Sequence, residues 1–199
     1  MNDEIKEFFG YHGTPERCID SIKNDGFKVR TFLFDCAEEQ EIPCDLGNGI
    51  YVFLDNDEYG FDGKECAKKY VKNVKRGELS YGVIELSLSI DFENQEIVDL
   101  DDEEIISEIL AVRKVMMPKL KRLFEENYFK NNGAFQRGNC DGIILEGLLL
   151  EKKSDPVMII KNTYTSESYY RISNFPDGTE ACIRDISIIK NKEVCEKFH

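Results

Sequence analysis

The sequence predicts an α+β fold, and three observations carry that prediction. Runs with the period of strands and runs with the period of helices are both present. They do not alternate strictly, which argues against a doubly wound parallel sheet. The chain is 199 residues long, 41% hydrophobic and 11% aromatic, enough for one domain with a real core and room for one insertion.

Each element has its own justification. Residues 7–12, EFFGYH, read as a strand. The next stretch, TPERCIDSIKNDGF, reads as a helix: Thr14 is a good N-cap, Pro15 suits the first helical position, Ile19 and Ile22 share a face, and Gly26 ends it. Residues 31–46 look irregular. GNGIYVFLD (47–55) is a glycine-led entry into an apolar strand, and a loop follows. Residues 64–77 form a helix with Cys66, Ala67, Tyr70, Val71 and Val74 on its inner face. YGVIELSLSI (81–90) alternates, with Ile84, Leu86, Leu88 and Ile90 on one face. Residues 101–130 read as two helices broken near Met116-Met117-Pro118, because proline removes a backbone donor and restricts the residue before it. NNGAFQRGNCDG is a loop. Residues 142–151, 156–162 and 180–190 read as three further strands. There is no internal repeat and no low-complexity linker.

Charge and cysteine content narrow the function classes. A net charge of −13 argues against broad binding to nucleic acid, which needs clustered lysine and arginine. Lys64, Lys68, Lys69, Lys72, Lys75 and Arg76 do crowd one segment, and they read as the solvated face of its helix. Seven cysteines with no CxxC pair, beside two histidines, match no ordinary zinc site, so no metal is expected. Reduced thiols, a charged N-terminus and the lack of a long apolar stretch lead to the expectation of a cytoplasmic protein without a membrane partner.

The interior histidine is the residue that asks for an explanation. His12 stands between Tyr11 and Gly13 at the end of the first strand, and the one other histidine is the terminal His199. In isolation it reads as a satisfied polar group. Tyr51 in isolation is a β-favoured core aromatic, and Tyr70 part of an amphipathic face.

Taken in order, YHGT, a helix ending in GF, LGNGIYVF and a helix containing AKKY resemble the ADP-ribosyltransferase fold. The resemblance is to the branch that includes the diphtheria-toxin-like and poly(ADP-ribose) polymerase-like domains, with a His-Tyr-Glu triad on three strands. It covers nearly the whole chain, apart from a poorly matched stretch at about 91–139. It implies a split β-sandwich core with flanking helices, one catalytic domain over residues 1–199, and a helical insertion at about 101–130. His12 and Tyr51 match the first two triad positions. Glu180, in GTEACIRDISIIK, matches the third, with Glu85 and Glu146 as competitors for that role.

The resemblance also implies a chemistry: mono-ADP-ribosyl transfer from NAD, used as a substrate, to a macromolecular acceptor, either protein or nucleic acid. Cleaving the nicotinamide–ribose bond develops an oxocarbenium-like charge, and a carboxylate such as Glu180 stabilises it. His12 would bond the adenosine ribose, Gly13 the nicotinamide amide, and Thr14 would complete the same strand end. Tyr51 and Tyr70 would sandwich the nicotinamide ring. The compact size implies a bacterial or phage toxin or defence effector. The loops at 30–46 and 55–63 and the insertion at 101–130 are the expected acceptor surfaces.

Departures from the pattern are visible. Ala67 stands where the family often has a serine, and Gly178 where arginine-modifying members carry an acid, which speaks against arginine transfer. Two other readings share the fold. An RNA 2′-phosphotransferase would want a basic pocket and a histidine in place of Tyr51. A catalytically inactive nucleotide-binding module would not need a third triad residue.

Overall fold

A computed structural model describes residues 5–34, 42–74, 77–125, 140–165 and 173–199. The described chain is mixed α+β. Seven strands form one sheet: β1 (Ile5–Pro15), β2 (Ile50–Leu54), β3 (Tyr81–Asp91), β4 (Ile97–Asp99), β5 (Met158–Thr163), β6 (Gly178–Ile183) and β7 (Ile189–Phe198). Four helices flank it: α1 (Glu16–Asp25), α2 (Gly63–Val74), α3 (Glu103–Glu125) and α4 (Asp141–Lys152). The strand order is β4-β5-β6-β2-β1-β3-β7. Neighbours are antiparallel except β4 and β5, which are parallel and are joined by a long crossover through α3 and α4.

Alternation along the strands builds the core. Ile84, Leu86, Leu88 and Ile90 of β3 join Val52 and Leu54 of β2 and Ala181 and Ile183 of β6 in one buried cluster. Ile22 and Phe27 pack against that cluster from α1 and the segment after it. The opposite face carries Tyr11, Phe53 and Val83, closed by Cys66 and Ala67 of α2. A third cluster sets Leu145 and Leu149 of α4 against Leu46, Ile159 and Cys182. Each fully buried Leu or Ile contributes about 1.5–3 kcal/mol of transfer free energy.

The basic face of α2 is neutralised locally. Lys64 and Lys68 bond Glu196 of β7 at 3.0 and 2.9 Å, and Lys69 lies 3.7 Å from Asp177. Among the described residues it is the solvated helix face that the charge pattern implied, with ion pairs added by β7 and Asp177; Lys75 and Arg76 lie outside them. No described helix is long and apolar enough to cross a membrane.

Several expectations need correction. Residues 142–151 form helix α4, not a strand. The run GIILEGLLLE is apolar nearly all round, so it has no period to choose by, and burial of nearly all its residues from Gly142 to Leu149 explains that pattern. The expected break at Pro118 does not occur: α3 continues through it. The lost backbone bond is offset by packing of Met116, Met117 and Leu120 against Ile143 and Ile144 of α4.

Thr14 does not cap α1, because β1 continues to Pro15 in register with Tyr81, and Pro15 is the cap residue without a side-chain bond. Glu16 N–H instead donates to the Ser80 carbonyl at 3.1 Å. Residues 180–190 are not one strand: β6 ends at Ile183, a single 3-10 turn spans Ile186–Ile188, and β7 begins at Ile189. Strand β4 falls in the poorly matched stretch at about 91–139. The loop expected at 131–142 lies outside the described residues up to 139, as does the end of the helical stretch from 126 to 130.

Candidate functional site

The ladder between β1 and β2 is short. Gly10 pairs with Leu54 and Tyr11 with Phe53, and there the pairing ends. The next contact is made by a side chain: His12 Nδ1 lies 2.8 Å from the Tyr51 carbonyl oxygen. Against a carbonyl the ring must donate, so Nδ1 carries the proton and Nε2 is an acceptor when the imidazole is neutral. The ring edge rests on Phe27, with centroids 5.1 Å apart. His12 therefore stands where the two strands part.

The parting opens a cavity of about 670 Å³. His12, Gly13 and Thr14 from the end of β1 line it, with Tyr51 and Phe53 from β2, Tyr70 from α2 and Glu180 from β6. All six residues picked out in the sequence thus share one hollow. Strand parity alone would have kept them apart: His12 belongs with Gly10 on one face, and Tyr51, Phe53 and Glu180 on the other. They meet because the ladder opens between them.

Register sets the rest of the geometry. Tyr51 pairs with Cys182 and Phe53 with Glu180. Tyr51 and Glu180 are therefore diagonal neighbours on one face, a placement that sets Cα atoms about 7–8 Å apart. Lys161 of β5 stands directly across the ladder from Glu180. The Tyr70 ring leans on Phe53, with centroids 5.9 Å apart. Arg17 and Lys28 line the cavity as cations, Asp45 and Glu180 as anions.

Tyr51 offers its ring, not its proton. Its hydroxyl donates to the Gly47 carbonyl at 2.9 Å and accepts the Leu46 N–H at 2.8 Å. Burial, then the neighbouring Cys182 and Cys44, push the phenol well above its ordinary range, so it stays protonated.

Gly13 has a packing reason to be glycine as well as its place on the cavity wall. A Cβ there would run into the Ala67 carbonyl oxygen and sit 3.0 Å from Val71 Cβ. Ala67 is fully buried under β1. The position at which the resemblance expects a serine thus falls in the packing between helix and strand, away from the cavity wall.

The two competing glutamates stand elsewhere. Glu85 lies on β3 between Tyr11 and Glu193. Glu146 is buried in α4 and forms a two-pronged ion pair with Arg184, at 2.6 and 3.1 Å. Neither lines the cavity.

Sequence reasoning missed Phe27 and Lys28, and also Thr163, Tyr164 and Thr165 at the end of β5, all of which line the hollow. No local signal marks them, since they arrive from distant segments. The Glu146–Arg184 pair did leave a signal: one acid inside GIILEGLLL and one base after EACI each demand a partner when buried. A second hollow of about 740 Å³ lies across the turn at 44–49, lined by Arg30, Thr31 and Phe32 and sharing Lys28, Cys44, Gly49 and Tyr51 with the first. It borders the described part of the loop at 30–46. No protein-family model matches this chain, and no curated protein matches it in sequence.

Proposed function

We propose that this protein is an NAD-dependent mono-ADP-ribosyltransferase with the ADP-ribosyltransferase fold. One observation supports the reading above others: residues chosen from motif order alone, His12, Gly13, Thr14, Tyr51, Tyr70 and Glu180, line a single cavity. Its volume falls in the roughly 300–1,000 Å³ range of small-molecule sites. The free thiols of the six described cysteines fit a reducing compartment.

In this reading the Tyr51 and Tyr70 rings hold the nicotinamide ring, and the backbone of Gly13 takes its amide. The nicotinamide–ribose C–N bond breaks and its electron pair leaves with nicotinamide. The Glu180 carboxylate faces the positive charge that develops on the ribose carbon. A nucleophile of the acceptor then bonds to that carbon, and its proton passes to the carboxylate or to water. His12, held by the Tyr51 carbonyl, presents its second nitrogen as a fixed polar group for a ribose hydroxyl.

Incubation with NAD labelled in its adenosine half tests this. The expected result is free nicotinamide together with label on a macromolecule, seen as an added mass of about 541 Da for one ADP-ribose. Glu180→Gln is expected to slow nicotinamide release by about 10²–10⁴ in a protein that still folds. Release that is unchanged in Glu180→Gln would remove Glu180 from the chemistry. Failure of the wild type to bind or cleave NAD would end the transferase reading.

A further inference from the structure

The turn that carries Tyr51 is gripped from behind. The Glu146 carboxylate accepts the Asn48 N–H at 2.7 Å, and Arg184 Nη1 donates to the Asn48 carbonyl at 3.3 Å. Both backbone polar groups of one residue are thus held by a single ion pair, itself 2.6 Å across and largely buried. The other side of the turn is held by Tyr51, whose hydroxyl bridges Leu46 N–H and the Gly47 carbonyl. Gly47 sits between the two grips with φ 83, a conformation that disfavours side chains, and a Cβ there would lie 2.5 Å from Glu146 Oε1.

A buried ion pair is a poor device for stability alone. Desolvation offsets most of its attraction, and apolar residues of equal volume often do as well. What this pair supplies is position: donors and acceptors in a fixed fork, set against one peptide segment.

We infer that Glu146 and Arg184 are positioning residues that set the pose of the Tyr51 ring, and through it the affinity of the cavity for its dinucleotide. Neither residue touches the cavity. The pair acts through the turn at 44–49, which it shares with the Tyr51 hydroxyl. The affinity part rests on the transferase reading; the mechanical link between the pair and the turn does not.

Two measurements separate them. Amide hydrogen exchange reads the link directly. In Glu146→Gln, exchange at Asn48 and also at Leu46, whose N–H bonds the Tyr51 hydroxyl, is expected to accelerate by about tenfold or more relative to core amides of β3. Arg184→Lys, which keeps the charge and loses the fork, is expected to show a smaller change of the same kind. With NAD, KM is expected to rise roughly tenfold in Glu146→Gln while kcat stays within about threefold. Val194→Ala, on the edge strand β7, which β1 and β3 separate from β2, is expected to move neither Leu46 exchange nor KM.

Tyr51→Phe combined with Glu146→Gln is expected to have less than the summed effect, since both grip one turn. Leu46 exchange that matches wild type in both Glu146→Gln and Arg184→Lys would overturn the inference. So would KM values unchanged from an NAD-cleaving wild type. If the wild type leaves NAD untouched, the transferase reading falls, and the exchange data alone decide whether the pair holds the turn. Should Glu146→Gln fail to fold, Arg184→Lys carries the same test.

Discussion

The two sides of β1 behave differently. Toward β3 every residue from Ile5 to Pro15 is in register with a partner from Asp91 to Tyr81. Toward β2 the pairing stops after Gly10–Leu54 and Tyr11–Phe53, and the His12 ring replaces the backbone as the partner of Tyr51. One side is scaffold and the other is an opening. The difference teaches how a sheet makes a cleft without leaving its backbone unsatisfied. A side chain takes over a carbonyl at the point of separation, so the strands diverge at little cost in hydrogen bonds.

The largest effect tests the scaffold side. Leu86 is fully buried on β3, and Leu86→Ala is expected to cost about 2–5 kcal/mol in chemical denaturation. A loss below that range would mean that the continuous ladder is not where stability resides. Gly13→Ala comes next, at about 1–3 kcal/mol, because the new methyl group meets the α2 backbone at Ala67, which cannot yield as a side-chain end could. A neutral result would show that α2 is not seated against β1 as described.

His12→Ala sharpens the comparison itself. It leaves the Tyr51 carbonyl without its imidazole donor, and a loss of roughly 1 kcal/mol is expected, with exchange rising near the β1–β2 parting and unchanged along β3. Equal acceleration on both sides would deny that the two sides are separate. Alkali is expected to act on the buried thiols and phenols, those under α2 as well as Tyr51 and Cys182. Burial raises the Cys66 thiol from its ordinary 9.0 to about 11, and burial with the Asp55 charge raises the Tyr11 phenol from 10.0 to about 12. Both folded values lie above the unfolded ones. The unfolded chain therefore ionises first, and stability falls as pH rises from about 9 to about 12. Cys66→Ala is expected to flatten the lower part of that fall in a melting series. The smallest effect is at the surface: breaking the exposed Arg17–Glu78 pair, 2.9 Å apart, is expected to leave the melting temperature where it was.

Much of the fold was legible where a segment's own pattern was strong. YGVIELSLSI alternates cleanly and is β3; the helices α1 and α2 begin where their periods place them, within a residue or two. Legibility failed where burial was complete or tertiary packing overrode local preference. GIILEGLLLE is a helix buried from Gly142 to Leu149, apart from half-buried Gly147, so that stretch has no solvent side to betray its period. Pro118 sits inside α3 because contacts with α4 outweigh what proline disfavours. Strand β4 is too short to show an alternation at all. For the candidate site, residue identities were legible through motif order, while the walls from Phe27, Lys28 and Tyr164 were not.

By itself the sequence determined which stretches want an apolar face, with what period, and that His12, Tyr51 and Glu180 stand at strand positions. These are properties of a dozen residues at a time, and hydrophobic spacing encodes them locally. The tertiary structure alone decided that β1 and β2 part after Tyr11, that the parting gathers residues from opposite sheet faces around one hollow, and that Glu146 meets Arg184 behind the turn. Those outcomes depend on ladders and ion pairs between residues tens of positions apart, whose formation depends on the whole chain closing upon itself.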